Sequence, residues 1–284
     1  MALAEGLPEP SNPLGMDGIE FVEYETTRPQ EFGGLLQDMG FAAVARHRSR
    51  EVMLYRQGPM NLVVNSHAAR SDTPALSAFA LRVRDAGFAH RHCLDLGAWD
   101  MPTRAAAMEL HIPGIHGVGD SLLYFVDRYR DFSIYDVDFV PLAGTDPRPP
   151  ALAGLHWFGV VQAILGDRTA EWLDFYRHLF GFTALPHGKY FGVLPKGTLL
   201  ESPCRKFYLQ LIEPPPGADE IHWDEELLRV GLGAPNIPAA TRTLRERGIV
   251  LIDHGAVQPS DKGALTQIYM GGVTFELVVS QLAS

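Results

Sequence analysis

Cysteine is scarce in this chain, and its spacing fits neither a disulfide framework nor a thiol metal site. The 284 residues include two cysteines, Cys93 and Cys204, which lie far apart and form no CxxC pair. This composition predicts two reduced thiols and a cytoplasmic location. The first residues lack the positive and apolar regions of a signal peptide, which agrees with that prediction.

Long apolar runs and basic clusters are also missing. No uninterrupted apolar stretch approaches the roughly 18 residues of a membrane-spanning helix. Lysine and arginine are scattered, and the net charge is −10. Such a chain is repelled by nucleic-acid backbones and by anionic membrane surfaces. We therefore expect a small-molecule ligand and neither a nucleic-acid nor a membrane partner. The composition is compatible with a homo-oligomer as well as with a monomer.

What is present is a globular composition divided by a linker. The chain is 46% hydrophobic and 20% charged, and its length suits two domains. Residues 140–154 contain four prolines and two glycines, which is typical of an extended connector. The predicted parts are therefore a tail over 1–16, an N-terminal domain over 17–139, the linker, and a C-terminal, site-bearing domain over 155–284.

The two halves repeat one another. Each begins with a strand and an amphipathic helix that ends in Gly-Phe, at Gly40 and at Gly181. Each then has short strands, a second strand–helix pair and a closing strand. In the second half the predicted strands are 157–164, 190–193, 206–212, 227–232 and 273–280, with helices over 170–180 and 237–247.

This pattern predicts an α+β fold of four βαβββ modules, paired into two domains with curled mixed sheets. A unit of this size cannot bury its own sheet, so each pair should close around a shared concavity. Such a concavity is a usual place for a small ligand.

Several motifs carry a resemblance to a known family. They are Arg46-His-Arg-Ser-Arg50, Met108-Glu-Leu-His-Ile-Pro113, the run from Gly117 to Tyr129, Ser133-Ile-Tyr-Asp-Val-Asp-Phe139, and Ala170-Glu-Trp172. With these motifs the chain resembles bacterial 4-hydroxyphenylpyruvate dioxygenase over nearly its whole length. The resemblance implies the vicinal-oxygen-chelate superfamily, in agreement with the four repeated modules.

The resemblance also implies an iron(II) site with two histidines and one carboxylate on one face of the metal. Counted along this chain, the carboxylate position is Glu276, while the two histidine positions hold Gly159 and Arg229. We therefore expect no metal and no cofactor, with Fe(II) only in the alternative of a working dioxygenase whose ligands differ.

The other histidines are poor substitutes. His156 lies three residues from Gly159, and strand alternation directs its side chain to the opposite face of the sheet. The remaining candidates lie in predicted loops, beside a turn or at an exposed helix end: His222, His254, His111, His116, His90 and His92.

Gly159 and Arg229 make sense as a coordinated replacement. The missing side chain at Gly159 would leave room for the long, always charged Arg229, whose guanidinium could pair with Glu276 in a bidentate manner. The competing interpretation places Arg229 in solvent and Glu276 in a partly exposed strand. We further predict that Tyr208, Gln210, Gln267 and Tyr269 face the same concavity.

Three function classes follow. The first is a metal-free relative of the dioxygenase that binds a small aromatic or 2-oxo acid in the C-terminal barrel, as a binding protein or as an enzyme of altered chemistry. The second is a working iron(II) dioxygenase with unrecognised ligands. The third is a structural or interaction protein that keeps only the fold.

Overall fold

The computed structural model describes residues 12–67, 69–102, 110–186, 188, 191–194, 197–215 and 223–281. The predicted tail therefore lies largely outside the described residues. In the described part of the chain, no helix has the length and apolar sequence needed to span a membrane.

Within its described residues, the N-terminal half contains the first eight strands and three helices. Its strands are β1 (Ile19–Glu25), β2 (Ala42–His47), β3 (Val52–Gln57), β4 (Met60–Asn65), β5 (Ala75–Arg82), β6 (Gly114–His116), β7 (Leu122–Val126) and β8 (Phe139–Pro141). Its helices are α1 (Pro29–Asp38), α2 (Ala86–Asp95) and α3 (Ile134–Asp138). At the start of α2, the Asp85 side chain accepts a hydrogen bond from the Phe88 backbone amide at 2.7 Å, which satisfies one unpaired donor of the first turn.

The C-terminal half contains seven strands and two helices in the described residues. Its strands are β9 (His156–Ala163), β10 (Thr183–Ala184), β11 (Thr198–Glu201), β12 (Tyr208–Ile212), β13 (Glu226–Ala234), β14 (Gly263–Leu265) and β15 (Phe275–Val279). Its helices are α4 (Thr169–Phe180) and α5 (Ile237–Glu246). Tyr176 and Leu179 form the buried stripe of α4, and Gly181 ends this helix in the left-handed conformation with φ of 80°.

The strand order proves the internal repeat. In the N-terminal half the order is β2-β3-β4-β1-β5-β7-β6, and in the C-terminal half it is β10-β11-β12-β9-β13-β15-β14. The parallel pairs also correspond, because β1–β4 matches β9–β12 and β5–β7 matches β13–β15. The predicted α+β fold with repeated modules and mixed sheets is confirmed.

Two details differ from the predicted modules. The fourth module shows two strands after its helix in the described residues, rather than three, and in the second module the third strand after the helix is β8, which pairs with β2 of the first module. The strand predicted over 190–193 is wrong for residues 191–193, which lie outside any strand, and Tyr190 lies outside the described residues. The chain leaves the sheet there because it crosses over the C-terminal concavity.

The two halves share one sheet and one core. Strand β13 pairs with β5 at Leu227 and Leu76, and the main hydrophobic cluster contains buried side chains from both halves. The predicted linker begins as part of β8, which pairs with β2. It then packs on the N-terminal half, where the Gly58 amide donates to the carbonyl of Pro149 at 2.8 Å. The exact domain boundaries stay a prediction.

Candidate functional site

Four neighbouring strands bring the predicted site residues to one region of the C-terminal sheet. Gly159 on β9 pairs with Tyr208 on β12 and with Gly231 on β13, and Gly231 pairs with Glu276 on β15. Arg229 lies two residues before Gly231, so both project from the same face of the strand. The register alone therefore places Arg229 diagonally opposite Glu276.

Arg229 and Glu276 form a buried ion pair. The Nε atom of Arg229 donates to Oε2 of Glu276 at 3.3 Å, and the two residues are 8% and 2% exposed. Burial lowers the pKa of Arg229 from its usual value, and the negative charge and hydrogen bond of Glu276 oppose that change. An arginine remains charged under such conditions, so the pair holds two opposite charges away from water.

The predicted reason for the glycine at 159 is wrong. A Cβ atom added to Gly159 would collide with the backbone carbonyl oxygen of Tyr208, so the adjacent strand β12 occupies that space. Arg229 does not need the space beside Gly159. Its side chain reaches Glu276 along β13 from a position two residues before Gly231, which is the residue that pairs with Glu276. A residue with a side chain at 159 would have to displace a hydrogen-bonded strand.

An aromatic cluster fills the concavity beside the ion pair. The Phe191 ring lies 4.9 Å from the Tyr208 ring and 5.2 Å from the Phe158 ring, and Phe158 stacks on Tyr208 at 5.0 Å. Gly192 follows with φ of 72°, and a Cβ added there would lie 2.5 Å from Oε1 of Glu276. The segment that contains Phe191 and Gly192 therefore passes directly over the Glu276 carboxylate.

Little space remains in this concavity. The cavity lined by Phe158, Phe191, Tyr208, Gln210 and Glu276 has a volume of about 20 Å³. That volume suits roughly one water molecule. Gln210 is 5% exposed, and its buried Nε2 atom has no hydrogen-bond partner among the described residues. The Tyr208 hydroxyl donates to Glu201 Oε1 at 3.3 Å, and burial raises the pKa of Tyr208.

Gln267 and Tyr269 do not line this cavity, which corrects the prediction for both. Gln267 is exposed, and the Tyr269 hydroxyl accepts a hydrogen bond from the Val250 amide at 2.7 Å. Strand β14 ends at Leu265, so the alternation that was extended to 269 stops before it reaches either residue. Their side chains belong to the turn region beyond the sheet.

His156 pairs in the sheet with Gly233, two residues beyond the Gly231 that pairs with Glu276. It is 3% exposed, and its ring nitrogens lie 3.0 Å from the Gly154 carbonyl and 3.2 Å from the Ser280 hydroxyl. His254 and His111 are exposed, and His116 lies 4.0 Å from Asp120 in the other half. His222 lies outside the described residues.

A second and much larger cavity lies in the N-terminal half, and the sequence analysis missed it. It has a volume of about 390 Å³. Strands β1, β3, β4 and β7 contribute to its wall, and these correspond to β9, β11, β12 and β15 around the small C-terminal cavity. Its apolar wall includes Phe21, Val52, Val63, Leu122, Ile134 and Phe139.

Five of the side chains that line this N-terminal cavity carry polar groups that hydrogen bonds, pKa shifts or charges bring into play. They are Glu23, Asn65, Arg50, His47 and Tyr124. Asn65 Nδ2 donates to Glu23 Oε1 at 2.8 Å. Burial raises the pKa of Glu23 to about 7, which Glu25 reinforces and which Asn65 and Arg50 oppose. The sequence signal was a charged residue, Glu23, at an alternate position of a buried strand.

Comparisons with known proteins give the family. The family model described as hydroxyphenylpyruvate dioxygenase, HPPD, N-terminal, matches residues 11–140. A protein of Pseudomonas aeruginosa named 4-hydroxyphenylpyruvate dioxygenase is 32% identical over 266 residues, which cover 85% of this chain and 72% of that protein. This chain belongs to the 4-hydroxyphenylpyruvate dioxygenase family. The predicted family and its vicinal-oxygen-chelate fold are thereby confirmed.

Other family relatives carry different names. The Vibrio vulnificus protein named hemolysin VllY is 35% identical over 266 residues, covering 84% of this chain and 72% of that protein. A solved structure of a mutant of 4-hydroxymandelate synthase from Streptomyces coelicolor has a TM-score of 0.73 at 16% identity, covering 95% of this chain and 94% of that chain. At that identity the structural likeness concerns the fold.

The donor set of this member does not fit the family's iron. The three predicted ligand positions hold Gly159, Arg229 and Glu276. Glycine has no donor atom, and the arginine guanidinium has only N–H donors and a positive charge beside the one carboxylate. In the described parts of the chain, no group of three or more His, Cys, Asp or Glu side chains is arranged to hold a metal ion.

Proposed function

We propose that this chain is a metal-independent member of the 4-hydroxyphenylpyruvate dioxygenase family that binds a small aromatic or 2-oxo acid in its C-terminal barrel. The observation that carries the proposal is the 3.3 Å contact between Arg229 Nε and Glu276 Oε2. In this interpretation the guanidinium supplies the positive charge that a metal would otherwise bring to the buried carboxylate.

The ligand class is supported by the residues around the pair. Phe158 and Tyr208 offer ring faces to an aromatic group, while Arg229 is not among the residues that line the present cavity, so its guanidinium meets a ligand carboxylate only after the cavity opens. Relatives in this family are named for 4-hydroxyphenylpyruvate, an aromatic 2-oxo acid. Because the cavity is about 20 Å³, binding requires the Phe191 ring to leave the aromatic cluster. The ring of the ligand would then take its place.

Metal analysis tests the first half of the proposal. Protein produced with added iron and purified without chelators should contain far less than one iron per chain. About one iron per chain, lost together with activity on 4-hydroxyphenylpyruvate after chelation, would instead support a working iron dioxygenase.

Ligand binding tests the second half. The Phe191→Ala variant should bind phenylpyruvate more tightly than the wild type, and adding Arg229→Met should weaken that binding again. Phe88→Ala, which removes a 47% exposed ring from α2, is the matched control and should change nothing. If phenylpyruvate raises the melting temperature of none of these proteins, the third class, a structural or interaction protein, is favoured.

A cytoplasmic location and a homo-oligomer belong to the same proposal. Cys93 is buried and Cys204 half-buried, both as free thiols, which supports a reducing compartment. Fractionation of the source cells tests the location. Sedimentation equilibrium of the purified chain tests the assembly.

A further inference from the structure

The N-terminal half holds a cavity that the proposed function does not use. Its volume of about 390 Å³ lies in the usual range for small-ligand pockets, which is roughly 300–1,000 Å³. The corresponding cavity of the C-terminal half has about 20 Å³. Since the two halves share one topology, the concavity that the fold creates twice is filled in one half and open in the other.

Strand alternation explains which side chains reach the N-terminal cavity. On β1, Val22 and Tyr24 are buried in the core, where Tyr24 packs 5.0 Å from Phe32 of α1. The alternate residues Phe21 and Glu23 therefore face the cavity. Glu23 is half-buried although it lies deep in the domain, because its carboxylate borders the open space.

The polar groups at this cavity carry both signs of charge. The Glu23 carboxylate accepts a hydrogen bond from Asn65, and Arg50 lies close enough to lower the pKa values of both Glu23 and Tyr124. Glu23 in turn raises the pKa of Tyr124, so the three groups share one neighbourhood. Buried acids with a shifted pKa in a concave site are typical of functional sites.

Much of the remaining lining of the cavity is apolar or aromatic. Phe21 packs 5.8 Å from Tyr124, and Val63 and Leu122 border the same space. An aromatic ring fits such a wall. A cationic group attracted to Glu23 would also meet Arg50, and an anionic group attracted to Arg50 would also meet Glu23, so either formal charge has a repulsive neighbour beside its attractive one. A neutral hydroxyl avoids both, because it can donate to Glu23 and accept from Asn65 or Arg50.

We propose that the N-terminal cavity, with Glu23 and Asn65 as its polar anchor, is a binding site for a small, uncharged, hydroxylated aromatic molecule. This site is separate from the C-terminal barrel and does not depend on the proposed function. The hydroxyl of the ligand donates to the Glu23 carboxylate, and its ring packs on the apolar wall.

Isothermal titration calorimetry on the full chain tests this proposal with catechol and phenol as probes. The expected result is saturable binding of catechol to the wild type. Glu23→Gln keeps the shape but removes the charged acceptor, so it should weaken catechol binding at least about tenfold. Leu122→Trp fills the cavity and should abolish binding. Tyr208→Phe, in the C-terminal barrel, is the matched control and should leave the affinity within about twofold.

Charged and apolar probes define the ligand class. Tyramine, 4-hydroxyphenylacetate and toluene should each bind at least about tenfold more weakly than catechol, because they add a charge or lack a hydroxyl. Tighter binding of any of the three would overturn the assignment of an uncharged hydroxylated ligand.

Three results would overturn the site itself. One is the absence of saturable catechol and phenol binding at millimolar concentrations. Another is unchanged binding in both Glu23→Gln and Leu122→Trp. The last is loss of catechol binding in Tyr208→Phe with retention in Leu122→Trp, which would assign the probe to the C-terminal barrel. Because Glu23→Gln is isosteric, it gives an answer even if Leu122→Trp folds poorly. Failure of phenylpyruvate binding in Phe191→Ala affects only the proposed function.

Discussion

Arg229 and Glu276 meet diagonally across two parallel strands, with Arg229 Nε 3.3 Å from Oε2 of Glu276. The ladder pairs Glu276 with Gly231, so the arginine two residues earlier has to lean along the sheet to reach the carboxylate. Both residues are at least nine-tenths buried. When two opposite charges are buried together, the removal of either one leaves the other without compensation, and the folded state loses stability.

That dependence predicts a large effect of removing one charge. Arg229→Met should lower the free energy of unfolding by about 3–5 kcal/mol, because the guanidinium that offsets the burial of the Glu276 carboxylate is lost. Urea unfolding measures the change. Arg177→Met, on the exposed side of α4, is the control and should stay within about 0.5 kcal/mol of the wild type.

The double variant should recover most of the lost stability. When Arg229→Met is combined with Glu276→Leu, both buried charges disappear and apolar groups of similar size replace them. A double-mutant cycle should therefore give a coupling energy of at least about 1 kcal/mol. Additive effects of the two substitutions would contradict the ion pair.

Gly159 and Gly231 are adjacent in the sheet but should tolerate alanine differently. Gly159→Ala should lose about 1–3 kcal/mol, because its Cβ would collide with the Tyr208 carbonyl oxygen. Gly231→Ala should lose less than about 1 kcal/mol, because its nearest contact is Phe158 Cδ1 at an ordinary 3.4 Å. Equal melting temperatures of the two variants would contradict this prediction, because they would show that the backbone of β12 moves away from residue 159 at little cost in stability.

Glu23 should make the stability depend on pH. Its pKa is about 7 in the folded chain against an ordinary value of 4.5, so the folded state binds the proton more tightly. The stability from this group is fully present below pH 4.5 and is lost as the pH rises through 7. The loss across this window should amount to about 2–3 kcal/mol.

The difference between the wild type and Glu23→Gln isolates that contribution. The stability of Glu23→Gln should fall less between about pH 4.5 and pH 7 than that of the wild type, as measured by urea unfolding in a pH series. Glu25, whose pKa is also raised by burial, stays in both proteins, so the difference reports Glu23 together with its repulsion by Glu25. Glu31→Gln, on the exposed side of α1, should follow the wild-type curve.

The repeated strands and helices were predictable because they depend on local patterns. The stripe of Tyr176 and Leu179 and the stop at Gly181 define α4 within one stretch of chain. The contact between Arg229 and Glu276 was also predicted, because a long cationic side chain occupies a family ligand position near the retained carboxylate, although the room attributed to Gly159 was not the reason. In contrast, the segment with Phe191 was predicted as a strand, because its aromatic residues have strand propensity. Long-range ring contacts with Phe158 and Tyr208 hold it over the C-terminal concavity instead.

By itself, the sequence determined the family, the four repeated modules and the charge pair that occupies two of the three family ligand positions. These follow from periodicity and from residue identity, which are properties of the chain alone. Only the tertiary structure decided which concavity is open. The volume between curved strands depends on how side chains distant in sequence pack, so about 20 Å³ remains near Glu276 and about 390 Å³ beside Glu23.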